Sequence, residues 1–427
     1  MNNKILNKLL ETYDTRYLDS LDLNSQKIWN DTTRKTLNSK NHFIKNNINK
    51  VISRLVQNHF NNNKPITDLL SGPMSFTLQK SKKYNMNVYI FGEIHGSIDD
   101  CKQFLKNTNG NECKKPCKKE EICNPKSGRC VSKTGKIGKK IKVNKNLREM
   151  EIQEYFKKLL NNTDVFLDLY VEVPQFLNKK YVSSHVLGEN IYIGKIFKTF
   201  KNCIQTQTRE NNKNCELFRF HYIDIRKRDN KEPDLVISRF VKIVHDAHHR
   251  LFMSETTKTV LNTLKNINKK GLLLLYEHDI DRHYYLKKEL NKTPLKKEIL
   301  SHCKKLATEF IEKIDIHKLN MEADLLLKRR YSGNFENKLN LPLVRLGAFA
   351  VDIYTLSRMF RTEFKHTKFQ PKKQSNIIMY AGDAHSRVYR SFLNSLDFNL
   401  VDRSGGSENK KSLRCVDLQN FQQPLFN

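Results

Sequence analysis

Two short stretches of this 427-residue chain carry the same chemistry at the same spacing, Gly92-Glu93-Ile94-His95 and Gly382-Asp383-Ala384-His385. Each reads glycine, acid, any residue, histidine, and each follows an apolar run: Val88-Tyr89-Ile90-Phe91 before the first, Ile377-Ile378-Met379-Tyr380-Ala381 before the second. A glycine there permits a sharp exit or a close backbone approach. In extended backbone the acid and the histidine, two residues apart, project to the same side. Two such ends in one crevice would offer two imidazoles and two carboxylates. An imidazole near neutral pKa accepts a proton from water while a carboxylate fixes its tautomer. Alternatively, His95, His385 and Glu93 form an open site for a divalent metal that acidifies a bound water. In either chemistry Glu93 and Asp383 orient the histidines. A single tetrad is equally well a strand-to-helix turn, with glycine making the turn and the acid capping the helix; the duplication is what argues for a site.

The elements that must position these residues are legible as apolar runs. Residues 87–93, 164–173, 218–226 and 376–381 are rich in β-branched, aromatic and aliphatic side chains, and 272–276 and 415–418 are weaker strand candidates. Between them, 147–160, 234–252, 296–314 and 343–361 repeat apolar residues at helical spacing. Near-continuous apolar strands alternating with helices imply an α/β fold, a mostly parallel mixed sheet flanked by helices, with its site at the carboxyl ends of the strands. Other strand-end acids are then candidates: Asp168 and Glu172, which a period of two places on one face with Tyr170, and Asp224 with Arg226. A charge buried on that face requires a partner. Residues 1–80 read as an N-terminal helical segment, with apolar positions at helical spacing in 41–59; residues 81–100 and 146–427 read as the α/β domain.

Paired Gly-x-x-His motifs at the ends of an early and a late strand, the first reading Gly-Glu-x-His-Gly, resemble the superfamily that joins erythromycin esterases, ChaN-like heme-binding lipoproteins and the TraB/TIKI proteases. The resemblance implies an α/β domain, often hydrolytic, with its site built from the two motifs and an acid on an intervening strand. Glu93 and His95 match the first motif, and Gly382 and His385 the second. Glu172 resembles the intervening acid. Arg358 resembles the basic helix residue before the second motif, where it would stabilise an oxyanion. The tail Ser386-Arg387-Val388-Tyr389 departs from the protease branch in lacking its following glycine.

Residues 101–145 are different in kind. The span 101–150 holds five of the nine cysteines and fifteen basic against four acidic residues, about a third of the chain's excess charge. It reads as a cysteine- and lysine-rich insertion with too little apolar material for a core of its own. Of Cys113, Cys117, Cys123 and Cys130, only the first pair keeps the knuckle spacing of a zinc cluster, which normally uses two such pairs. The run from Ile122 to Lys140, with Cys123-Asn124-Pro125, Arg129-Cys130 and a Gly-Lys-x-Gly-Lys tail, resembles the two-cysteine adaptor module of large DNA virus proteins. That resemblance implies docking onto an acidic protein or a nucleic acid, and a location in host cytoplasm or virion. A Cys123–Cys130 pairing and reduced thiols both remain open. Cys101, Cys203, Cys215, Cys303 and Cys415 are scattered and read as free cysteines.

Two further stretches imitate sites. His245-Asp246-Ala247-His248-His249 has two histidines at i and i+4 but Asp in place of the usual Glu, and reads as a helix face. Glu277-His278-Asp279, after 272–276, reads as a strand-end element or a polar turn.

Composition sets the outer bounds. The net charge of +32 comes from 77 Lys+Arg against 45 Asp+Glu. It suits a polyanion partner, yet Lys dominates Arg, and Asn makes up roughly a tenth of the chain, as AT-rich coding produces. With 38% hydrophobic residues the chain can bury a core and is not disordered throughout. No run reaches membrane-span length and the first residues lack a secretory signal, so a protein without a membrane span is expected. Two functions fit: a hydrolase working through the paired tetrads, and a non-catalytic interaction or virion protein docking through the insertion.

Overall fold

A computed structural model describes residues 66–94, 101, 120–124, 129–132, 134, 148–163, 165–174, 192–204, 217–226, 235–249, 253–328, 340–364, 371–405, 414–423 and 425. The chain divides into two compact units, Met1–Lys64 and Pro65–Asn427, and the described residues belong to the second. The expected helix in 41–59 lies outside them.

Strands that are apolar at nearly every position must be covered on both faces, and four of them build the centre of the sheet. These are β3 (Met86–Glu93), β7 (Leu167–Pro174), β8 (Phe218–Asp224) and β9 (Asn376–Gly382), mutually parallel in the spatial order β3-β9-β7-β8. Two antiparallel strands, β2 (Ser75–Ser81) and β10 (Asn399–Gly405), extend it beyond β3 to give a six-stranded mixed sheet. The fold is α/β, as expected. The helical reading of residues 1–80 is corrected at its end: β1 (Leu69–Ser71) and β2 are strands. Ser75-Phe76-Thr77-Leu78-Gln79 alternates with a period of two, and the β2–β3 hairpin turns through Asn85, whose φ is +50°.

Because side chains alternate along a strand, the sheet feeds two cores. Val88, Ile90, Ile377 and Met379 face a helical layer. It is made of α3 (Val236–His249), α4 (Glu255–Lys265), α5 (Lys269–Arg282), α6 (Tyr284–Leu290), α7 (Lys296–Glu312), α8 (Ile316–Leu327), α9 (Asn340–Met359) and α10 (Asp383–Ser395). Tyr89, Phe91, Ile378 and Tyr380 face the other layer, α1 (Ile152–Asn162) and α2 (Tyr192–Ile204) with a small sheet. There Phe156 packs edge-on against Phe91 and Tyr380. The small sheet has the order β11 (Cys415–Asp417), β1, β6 (Glu149–Glu151).

The apolar run 272–276 is not a strand. It lies within α5, whose start is capped by the Asn268 side chain accepting from Gly271 N. Glu277-His278-Asp279 is therefore no strand end. Buried Asp279 accepts hydrogen bonds from Val236 N (2.6 Å) and Ile237 N (3.0 Å), satisfying the open amides at the start of α3.

Cys101 and Cys415 are not free: they form a buried disulfide across 314 residues of sequence, with Cα atoms 5.2 Å apart. The bridge ties the root of the insertion to β11, beside Ser71 of β1. Cys303 is a free, buried cysteine, as expected. Cys215, Cys113, Cys117 and Pro125 lie outside the described residues. Within the insertion, β4 (Glu121–Asn124) and β5 (Arg129–Ser132) form an antiparallel ribbon that sets Cys123 opposite Cys130 and Asn124 opposite Arg129. Cys130 is disulfide-bonded.

Candidate active site

β9 pairs with β3 on one side and β7 on the other, so its carboxyl end is where the chain's order across the sheet reverses. Ligand crevices form at such points. The second tetrad sits there. Gly382 ends β9 and α10 begins at Asp383, so Asp383 and His385 lie on a helix and not on extended backbone. Two residues along a helix turn through about 200°. The acid and the histidine therefore point to opposite sides, and the expectation that Asp383 orients His385 fails for that geometric reason.

His385 is buried, and Nδ1–H donates to Asp352 Oδ1 at 2.6 Å while Nε2 faces Glu172 Oε1 at 3.3 Å. Asp352 comes from α9 and Glu172 from the end of β7. Glu172 is itself fixed: Oε2 accepts from Gly382 N at 2.8 Å, and Oε1 accepts from Arg226 Nη2 at 2.9 Å. Arg226 also donates Nε to Asp224 Oδ1 at 2.9 Å. The strand-end residues Glu172, Asp224 and Arg226 thus join His385 as the sequence suggests. Burial alone disfavours a charged imidazole, but the carboxylates of Asp352 and Glu172 outweigh it and raise the His385 pKa to about 10. His385 is an imidazolium at neutral pH, with a proton on each nitrogen.

Asp383 is bound on the far side of α10. Its Oδ1 accepts from Ser75 Oγ at 2.5 Å and its Oδ2 from Arg387 Nε at 2.8 Å, while Arg390 Nη1 lies 3.4 Å from Oδ1. Burial opposes its ionisation, yet Ser75 and the two arginines hold its pKa below the usual carboxylate value. This packing explains Gly92 of the first tetrad, since a Cβ there would come within 2.5 Å of both Asp383 Oδ1 and Ser75 Oγ. Glu93 shares the parity of Tyr89 and Phe91 and accepts from the Tyr380 hydroxyl, on the face opposite His385. Alternation along β3 therefore keeps Glu93 and His385 from being ligands of one ion. His95 lies outside the described residues. Among the described residues no group of three or more His, Cys, Asp or Glu could hold a metal ion.

Arg358 does not reach this crevice either. It lies six residues beyond Asp352 on α9, about 9 Å along the helix axis, and its Nε donates to His221 Nδ1 at 2.9 Å. His221 in turn meets Asp168 Oδ1 at 2.7 Å, and Arg219 donates Nε to the same oxygen at 2.6 Å. Tyr170 stacks on the His221 ring at 4.1 Å. Asp168, Tyr170 and Glu172 do share a face, and each buried acid is paired. Burial is the main force lowering the His221 pKa, to about 3; the hydrogen bond with Asp168 opposes it, and the Arg358 charge adds to the lowering. His221 is neutral, with Nε2–H donating to Asp168.

Above His385 and Asp352 opens a cleft of about 320 Å³ between α7, α9 and α10, within the range of small-ligand sites. Its walls include Leu306, Phe310, Phe349 and Val388. Asp352 belongs to no motif in the sequence, yet one signal marks it. It is the lone acid in the apolar α9, and at 2% exposure it must have a partner.

No family model, no curated protein and no solved structure matches this chain. Among the described residues, no helix is long and apolar enough to cross a membrane.

Proposed function

We propose that the chain is a hydrolase of the erythromycin esterase/ChaN/TIKI type, with His385 as its proton donor. The observation that carries this reading is the Glu172–His385–Asp352 array beneath an open cleft at the carboxyl ends of parallel strands. Asp352, at 2.6 Å, anchors the ring through Nδ1; the longer 3.3 Å contact leaves the Nε2 proton the one more easily redirected to a substrate oxygen. Glu172 and Arg226 fix the place of that proton. Water activation then falls to His95 of the first tetrad. Neither Arg358 nor Asp383 acts in this scheme.

The test is turnover of a panel of 4-nitrophenyl esters from acetate to decanoate by the purified chain and by His385→Gln. Hydrolysis by the parent and its loss in the variant is expected. If the parent turns over no ester, or the variant keeps the parent's rate, the reading fails.

A second function, docking of the insertion onto an acidic protein or nucleic acid, is favoured by the β4–β5 ribbon that sets Cys123 opposite Cys130. Deleting residues 112–140, which spares Cys101, should abolish binding to single-stranded DNA, and the parent's binding should weaken steeply with salt.

A further inference from the structure

The walls of the cleft carry a chemical instruction of their own. Its apolar lining, Leu306, Phe310, Phe349 and Val388, suits an aliphatic or aromatic body. Besides the His385 imidazolium at its floor, three cations line it, Lys313, Arg345 and Arg387, but they are not equivalent. Arg387 already serves Asp383 at 2.8 Å. Lys313, at the end of α7, and Arg345, in the second turn of α9, form no ion pair with any acid among the described residues. Of the two acids lining the cleft, Asp352 is bound to His385, which leaves Glu309 as the single counter-charge to Lys313 and Arg345. Arg345 precedes Asp352 by seven residues, about 10 Å along α9. The charge surplus therefore sits at the mouth and the imidazole at the floor.

We infer that the cleft selects an amphipathic anion, with its apolar body against Phe310, Phe349, Leu306 and Val388 and its anionic group held at the mouth by Lys313 and Arg345. The inference rests on the hydrolase reading for its purpose, since it places the reactive bond of such a molecule beside His385, but it is measured by binding alone. A carboxylate and a phosphate monoester share the recognising chemistry. Either one meets two exposed cations at the mouth, whose attraction is least screened at low salt.

Isothermal titration calorimetry at low salt, with decanoate, decyl phosphate, methyl decanoate and decyltrimethylammonium as probes, tests it. At least one of the two anions should bind at least about tenfold more tightly than the neutral ester and the cation, a margin of about 1.4 kcal/mol. The stronger anion identifies whether carboxylate or phosphate is preferred. Lys313→Glu/Arg345→Glu, both exposed positions, should abolish that preference, and Lys313→Gln/Arg345→Gln should weaken it partway. Binding is read without turnover, so an anion preference that persists where no ester is hydrolysed separates this outcome from failure of the hydrolase reading. Equal binding of methyl decanoate and both anions, or an unchanged affinity in the double reversal, would overturn the inference.

Discussion

His385 and His221 lie on the same face of the sheet, the first just past the carboxyl end of β9 and the second midway along β8, and their immediate surroundings look alike. Each is buried, and each gives one ring nitrogen to an aspartate, Asp352 at 2.6 Å and Asp168 at 2.7 Å. Yet the first is pushed up to about 10 and the second down to about 3. The second nitrogen decides. On His385 it faces the Glu172 carboxylate, so the ring itself is the cation that balances the acids. On His221 it accepts from the Arg358 guanidinium, and Arg219 already neutralises Asp168, so the ring need not charge. A close aspartate orients a buried histidine; the remaining partner sets whether it has a proton to give. The array with a proton to give opens onto the cleft between α7, α9 and α10.

The comparison breaks most visibly in turnover. His385→Gln should cost on the order of 10²–10⁴ in rate, the usual worth of a positioned proton donor. His221→Gln should leave turnover per folded molecule unchanged while lowering Tm. Equal losses in the two variants, measured with the same ester and corrected for folded fraction, would dissolve the distinction. Stability should rank the aspartates the other way. Asp168→Asn strands the buried Arg219 guanidinium and should cost about 3–5 kcal/mol. Asp352→Asn leaves a hydrogen-bonding amide against a ring that can shed its proton, and should cost about 1–3 kcal/mol. Urea unfolding at pH 7 reads both, and a larger loss at Asp352 would show that the proton on His385 is not free to leave.

This asymmetry also marks how far the sequence can be read. The four parallel strands announce themselves because each is apolar on both faces, and Glu172 is found because a period of two fixes its face once the strand is known. β2 escapes because Ser75–Ser81 is apolar only at alternate positions, and Leu272–Tyr276 imitates a strand because a run of leucines is equally at home in a buried helix. The second tetrad misleads through periodicity: its acid and histidine share a side only if the strand continues, and the chain turns helical at Asp383. Asp352 stands 33 residues from His385, and Cys101 stands 314 from Cys415. Pairings across such distances follow from how layers stack and leave no local spacing to read. Arg358 lies away from the crevice its motif position implies, because α9 carries it about 9 Å past Asp352 to His221, midway along β8.

The two histidines should also leave opposite marks on stability against pH. A group whose folded pKa is raised stabilises fully below its unfolded value and loses that contribution as pH climbs through the folded one. For His385 the window runs from about 6.5 to about 10. His221 is depressed, so its contribution is whole above about 6.5 and lost as pH falls toward about 3. Each limb is worth on the order of a few kcal/mol, because a tenfold change in proton affinity is worth about 1.4 kcal/mol. Asp383, also depressed, adds to the acid limb, so the informative quantity is the difference from a variant. Unfolding free energy measured from pH 4 to pH 10 should flatten on the alkaline side in His385→Gln and soften on the acid side in His221→Gln. An alkaline slope that survives in His385→Gln would mean that this imidazole is not the charged one.

The smallest effect gives the sharpest test of what separates the pair. Arg358→Leu removes the guanidinium at 2.9 Å from His221 Nδ1. It leaves Glu289 bound by Lys292 at 3.3 Å and by Arg361 at 3.4 Å, so no acid is stranded. Burial still opposes the charged ring, and Asp168 still favours it. The proton affinity of His221 should therefore rise roughly tenfold, a change of about 1.4 kcal/mol, and its pKa should stay well under the ordinary imidazole value. The His385 resonance, whose charge depends on Asp352 and Glu172, should titrate as before. Imidazole Cε1–H shifts followed by NMR across pH 3–10 report both rings in one experiment. If His221 rises to match His385, the aspartate alone was setting the charge, and the second partner was not; if neither moves, burial outweighs every pairwise contact around His221.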